Sequence, residues 1–152
     1  MTDSSPRPLV LVTGASRGIG RATAILAARR GWDVVLGYHR DESAARSAAR
    51  DAGAVSDGQV HVVAMDVARE EDVLAAFEFV DGCDGILRGL VNNAGILDRQ
   101  TRLDAMSAAR IKRIFEVNTL GAFLCAREAV RRMSTRHGGS GGSIVNVSSR
   151  AA

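Results

Sequence analysis

The sequence predicts an α/β fold, a doubly wound parallel sheet with helices on both faces. Three observations predict it. Short runs of consecutive apolar residues alternate with longer stretches of helical periodicity along the 152 residues. The apolar runs show no in–out alternation, as expected of strands buried on both faces. The first run ends at a glycine-rich turn that opens directly into a helical stretch. Strands joined through helices then imply right-handed crossovers within one sheet.

Residues 1–8 include Pro6 and Pro8, lack an apolar core and read as a short disordered leader. Residues 9–12, Leu-Val-Leu-Val, form the first strand. Over residues 18–30, Ile19, Ala22, Leu26 and Ala27 recur at helical spacing, and Gly31 stops that helix. Asp33 to Tyr38 is the second strand, built around Val34-Val35-Leu36. Residues 41–52 are an alanine-rich helix. Residues 60–65 are the third strand. Residues 69–80 are a helix presenting Val73, Leu74, Phe77 and Val80 on one face, and residues 89–92 are the fourth strand. A long helical region over 103–136 carries an apolar stripe of Ile111, Ile114, Phe115, Leu120, Phe123, Leu124, Val130 and Met133. Residues 136–142 are a glycine-rich surface loop, and residues 143–148 are the fifth strand. No internal repeat or linker divides residues 9–152, which read as one domain.

Composition narrows the function. Hydrophobic residues make up 46% and charged residues 24%, an ordinary globular balance. The formal net charge is +3, and Lys112 is the only lysine. The arginines are interleaved with acids, as in Arg69-Glu70-Glu71-Asp72, so no basic run or basic–aromatic stripe points to nucleic acid. Cys83 and Cys125 lie far apart without metal or redox spacing and read as two reduced thiols. His39, His61 and His137 form no ligand group, so no metal site is expected. No stretch approaches the roughly 20 apolar residues of a membrane span. A cytoplasmic location is expected.

The turn Thr13-Gly14-Ala15-Ser16-Arg17-Gly18-Ile19-Gly20 lies between the first strand and the first helix. Glycines there allow a tight turn and bring backbone amides close to an anion, at a helix end of about half a positive charge. The spacing is Gly-x-x-x-Gly-x-Gly, which differs from the Gly-x-Gly-x-x-Gly of the common dinucleotide fold. Four further motifs follow in order. They are Asp66-Val67 after the third strand, Asn92-Asn93-Ala94-Gly95 after the fourth, Val117-Asn118 in the long helix, and Ile144-Val145-Asn146-Val147-Ser148-Ser149 on the fifth strand. Together they resemble the short-chain dehydrogenase/reductase family, and within it the 3-oxoacyl-carrier-protein reductase and glucose 1-dehydrogenase type. The resemblance covers residues 9 to 149. It implies a Rossmann-like sheet of which five of the family's seven strands are present.

The resemblance also implies site residues. Gly14, Ser16, Arg17, Gly18, Ile19 and Gly20 would hold the dinucleotide phosphates. His39 and Arg40 would stand at the adenosine ribose, Asp66 and Val67 at the adenine, and Asn93, Ala94 and Gly95 along the cofactor. An acid at the tip of the second strand would favour NAD, and a cation NADP. The strand ends in Tyr38-His39-Arg40, and Arg17 lies in the glycine turn, so NADP is expected over NAD. Asp41, just beyond, is the one acid within reach of a ribose.

Ser149 matches the family's catalytic serine, and Asn118 its catalytic asparagine. Taken without the flanking motifs, Ser149 reads as a strand-end or cap serine and Asn118 as a polar interruption of a helix. Ser148 should face the other side of the strand. The family also uses a tyrosine, with a lysine four residues later that makes the phenol acidic enough to exchange a proton near neutral pH. Tyr38 is the only tyrosine and Lys112 the only lysine, and no Tyr-x-x-x-Lys exists in these residues. The resemblance places that pair beyond Ala152, together with a further helix, two strands and the substrate loop. It thus predicts an inactive, poorly stable 152-residue fragment, with β-edge and helix stripe uncovered. The expected activity is hydride transfer to or from a small carbonyl or alcohol, by a form able to pair as a homo-oligomer. A dinucleotide-binding short form without chemistry is the alternative.

Overall fold

A computed structural model describes residues 5–97 and 99–149. Its five strands are β1 (Pro8–Val12), β2 (Asp33–Tyr38), β3 (Val60–Ala64), β4 (Ile86–Asn92) and β5 (Ser143–Asn146). All neighbouring strands are parallel, in the order β3-β2-β1-β4-β5. The chain runs outward from β1 through β2 to β3, then crosses back to place β4 on the other side of β1. That reversal makes the C-terminal ends of β1 and β4 the switch point of the sheet, where such folds open a crevice.

The expected α/β order holds, with shifted boundaries. Pro8, expected in the leader, belongs to β1, and the carbonyl of Arg7 accepts from the Ile86 amide at 2.9 Å. Residues 1–4 of the expected leader lie outside the described residues. The fourth strand starts at Ile86, before the glycine at 89, because Pro8 and Leu9 supply partners for Ile86 and Leu87. The third strand ends at Ala64 and the fifth at Asn146, although the Val147 amide still donates to the Asn92 carbonyl.

Alternate strand residues feed two cores. Leu9, Leu11 and Val35 face one layer, made by α3 (Glu70–Asp81) and α5 (Gly121–Met133) through Phe77, Val73, Leu124, Cys125 and Met133. Val10, Val12, Val34 and Leu36 face the other, made by α1 (Gly18–Arg29) and α2 (Glu42–Gly53) through Ala24, Ala28, Ala48 and Ala52. The α1 stripe read from sequence is corrected here. Gly20, Ala24 and Ala28 face inward, whereas Ile19 and Leu26 are exposed. A helix seated closely on a sheet and beside a second helix takes small residues at the contact, so the larger apolar side chains fall outside it. In α3, Val73, Phe77 and Val80 are buried as expected, and Leu74 lies at the rim.

The long helical region is not one helix. A 3₁₀ turn (Leu103–Ala105) precedes α4 (Ala108–Phe115), a π turn (Glu116–Leu120) joins α4 to α5, and a second 3₁₀ turn (Thr135–His137) follows. Of the expected stripe, Leu124 and Met133 are buried, while Phe115, Leu120, Phe123 and Val130 are exposed. The π turn widens one helical turn and changes the phase of the face that follows, so a single 3.6-residue period cannot describe both helices. Gly121, directly after it, lets the helix approach Val67, since a Cβ there would lie 2.7 Å from that side chain.

Arginines gathered around one buried carboxylate fasten α5 to α3. Glu128 is 2% exposed and accepts from Arg127 Nε at 3.0 Å, Arg131 Nη1 at 2.8 Å and Arg132 Nη1 at 3.0 Å. Arg132 also grips both oxygens of Asp81 on α3 at 2.7 Å and lies over the Phe77 ring. Burial raises the Glu128 carboxyl, but hydrogen bonds from Arg132 and Arg127 and the charge of Arg131 hold it below its ordinary value.

Candidate functional site

The site grows from Thr13, the last buried residue before the glycine turn. Its Oγ1 accepts from the amides of Asn93 at 3.0 Å and Ala94 at 2.9 Å, and donates to the Val91 carbonyl at 3.3 Å. The Asn93 side chain returns the contact, its Nδ2 donating to the carbonyls of Thr13 at 2.9 Å and Gly14 at 3.0 Å. The turn after β1 and the segment after β4 are therefore locked together. With the Thr13 and Gly14 carbonyls engaged by Asn93, the turn leaves its amides, at the start of α1, as the groups available to an anion.

Two glycines make this lock possible. Gly14 sits at φ +62°, and a Cβ there would lie 2.9 Å from Ala94 Cα. A Cβ on Gly20 would lie 2.6 Å from the Gly14 carbonyl and press on the Asn93 amide. Both positions exclude any side chain on steric grounds.

A cleft of about 630 Å³ opens over this lock at the C-terminal ends of the strands. It is lined by Gly14, Ser16, Arg17, Gly18, Ile19, His39, Arg40, Asp66, Val67, Asn93, Ala94 and Gly95, all singled out from the sequence. Gly20 is the exception, buried behind the turn. Asp41, Met65, Ile96, Arg113 and Val117 complete the wall. The exposure of Ile19, at 62%, follows from its place at the mouth of this cleft.

At one end of the cleft lies Asp66, 9% exposed. Its Oδ1 accepts from the Ala68 amide at 3.0 Å. Its Oδ2 accepts from Arg113 Nη2 at 3.0 Å and lies 3.4 Å from His39 Nε2. Burial raises the carboxyl, but the Ala68 amide, the Arg113 hydrogen bond and the charges of His39 and Arg113 bring it below its ordinary value. Asp41 is engaged elsewhere, since its Oδ1 accepts from the Ala44 amide and caps α2.

Asn118 lies in the π turn and does not line the cleft. Its side chain clamps the backbone of Ile96, which does, with Oδ1 accepting from the Ile96 amide at 2.8 Å and Nδ2 donating to its carbonyl at 2.9 Å. Ser149 lies past the end of β5 and is exposed. Asn92, the first residue of its motif, donates through Nδ2 to Asn146 Oδ1 at 2.9 Å and to the Ala122 carbonyl at 3.1 Å, joining β4, β5 and α5. Sequence reasoning missed the Thr13 hub and Arg113. Thr13 opens the turn motif, which is its only linear signal. Arg113 has none, since its partner Asp66 lies 47 positions away. Among the described residues, no group of three or more His, Cys, Asp or Glu could hold a metal, and no helix is long and apolar enough to cross a membrane.

Known proteins resemble this chain in sequence and in fold. The family model described as short chain dehydrogenase matches residues 8–152. The chain is 46% identical over 143 residues to the uncharacterized oxidoreductase YgfF of Escherichia coli (strain K12), covering 94% of this chain and 58% of that protein. It is 40% identical over 147 residues to a short-chain type dehydrogenase/reductase of Picea abies, covering 93% and 53%. Among solved structures, an NAD+-bound xylitol dehydrogenase superposes with a TM-score of 0.87 at 28% identity, covering 98% of this chain and 55% of that one. The chain thus spans little more than half the length of the proteins it matches.

Proposed function

The chain belongs to the short-chain dehydrogenase family, and on that premise we propose that it serves NADP(H)-dependent hydride transfer to or from a small carbonyl or alcohol. One observation carries the cofactor choice. The cleft end at the tip of β2 is lined by His39 and Arg40, with Arg17 on the glycine turn, while the carboxylate of Asp41 is committed to capping α2. A ribose 2′-phosphate finds cations there, and the one acid after β2, Asp41, already spends Oδ1 on the α2 cap.

The residues present suit a dinucleotide. The cradle at Gly14 and Gly20, which a Cβ would fill, gives a pyrophosphate the close backbone approach it needs. Gly14, Ser16, Arg17, Gly18 and Ile19 would hold the phosphates, His39 and Arg40 the ribose end, Asp66 and Val67 the purine, and Asn93, Ala94 and Gly95 the path towards the reacting end. The cofactor supplies the hydride donor or acceptor when bound. In this reading Ser149 hydrogen-bonds the substrate oxygen. Asn118 keeps the Ile96 wall in place and supports proton movement at the site. Residues 1–152 contain no Tyr-x-x-x-Lys, so by themselves they bind the dinucleotide without turnover. Two free thiols, Cys83 and Cys125, suit a cytoplasmic setting.

Calorimetric titration with NADPH and NADH tests the reading. NADPH should bind about tenfold or more tightly, the scale of one charge-assisted phosphate contact. Arg40→Ala should bring the two to within a few fold. Equal or tighter binding of NADH removes the NADP assignment, and binding of neither removes the oxidoreductase reading.

A further inference from the structure

Arg113 stands apart from the groups discussed so far. It comes from α4, a helix that buries none of its own residues, yet it lines the cofactor cleft. Its Nη2 reaches Oδ2 of Asp66, another residue of the cleft lining, at 3.0 Å. The two carboxylate oxygens are thereby distinguished. Oδ1 is held by the Ala68 amide, within the turn that leads to α3, and Oδ2 is held from α4 by Arg113, with His39 Nε2 at 3.4 Å. A carboxylate held by donors on both oxygens has its plane set, and its remaining lone pairs only accept. Arg113 thus holds the carboxylate through one of its five donors.

We propose that Arg113 is a positioning residue of the purine end: by holding Oδ2 it orients the Asp66 carboxylate as an acceptor and so selects a 6-aminopurine over a 6-oxopurine dinucleotide. This rests on the dinucleotide reading above. The chemistry is asymmetric. An adenine amino group donates to the carboxylate, whereas hypoxanthine presents a carbonyl oxygen at the same place and leaves two acceptors facing each other. His39 lies near the same oxygen, but at 3.4 Å it makes the longer contact, so Arg113 is the dominant restraint.

The test compares adenine and hypoxanthine forms of the reduced dinucleotide by calorimetric titration of the full natural chain. The wild type should prefer the adenine form by about tenfold or more. Arg113→Gln should bring that ratio close to one, mainly through weaker adenine binding, and Arg113→Lys should recover much of it. In an Asp66→Ala background, Arg113→Gln should leave the ratio unchanged, because the acceptor it orients is already gone. Equal weakening of both dinucleotides by Arg113→Gln would overturn the proposal, because the arginine would then serve only to seat α4. So would a wild type that binds both forms equally, with the cofactor reading left standing. A wild type that binds neither form removes both. If Arg113→Gln does not fold, the wild-type and Asp66→Ala ratios decide: a preference kept in Asp66→Ala overturns the proposal.

Discussion

Replacing Thr13 by valine removes a single oxygen and keeps the shape of the side chain. Thr13 is 1% exposed, and that oxygen accepts from the Asn93 and Ala94 amides. The Val91 carbonyl, to which the hydroxyl donates, keeps the Thr13 amide at 3.0 Å and is not orphaned. The loss therefore falls on two part-buried amides. Each such donor left without its acceptor costs about 1–1.5 kcal/mol, so Thr13→Val should cost about 2–3 kcal/mol. For a chain of this size that corresponds to a fall in Tm of about 4–12 °C. Thr13→Ser keeps the oxygen and loses one methyl, a cost of about 1 kcal/mol. Paired thermal and urea melts of the wild type and both variants, with equal m-values, measure the difference. If serine is as damaging as valine, the hydroxyl is not what joins the turn to β4, and the account of the site's rigidity fails.

Four other outcomes follow from the structure. Gly20→Ala should weaken dinucleotide binding by about tenfold and destabilise by about 1–3 kcal/mol, because its Cβ meets the Gly14 carbonyl. Gly53→Ala, with nothing within 4 Å, should be neutral or stabilising by up to about 1 kcal/mol, and titration plus melting separates the two. Glu128 has a folded value held below its ordinary 4.5, so its contribution is complete above that value and is lost as pH falls through the lower folded one. The stability gap between wild type and Glu128→Gln should thus be constant from about pH 7 to 5 and shrink on further acidification; a gap that grows there contradicts the pairing. Burial, with Glu128 nearby, pushes the Cys125 thiol up to about 12, whereas Cys83 is half-buried. A thiol reagent should modify Cys83 first and Cys125 only on unfolding, and equal rates would show that the α5 core opens locally.

Much of this molecule is legible residue by residue. The order β1-α1-β2-α2-β3-α3-β4 follows from apolar runs and helical periods, because burial on two faces and burial on one leave different linear patterns. The glycine turn is legible for a related reason. Its requirements are local, a positive φ at Gly14 and no Cβ at Gly20, and only one residue type meets both. Periodicity misleads where contact distance decides. In α1 it selects Ile19 and Leu26 as the core face, but the close seat favours Gly20, Ala24 and Ala28. Over 103–136 it sees one helix, since a π turn costs only a small phase change that a run of apolar residues does not record.

What the sequence by itself determined is the alternation of elements, the parallel sheet they imply, and the short motifs whose steric demands are satisfied within a few residues. What only the tertiary structure decided is how those motifs act on one another. Thr13 meets Asn93 and Ala94 some eighty positions later, Arg113 meets Asp66 in the cleft, and Arg132 and Arg127 of α5 meet Asp81 and Glu70 of α3. The reason is physical. A backbone angle or a missing Cβ is a property of one position, whereas a hydrogen bond between distant residues exists only once the sheet order and the helix seats have set the distance between them.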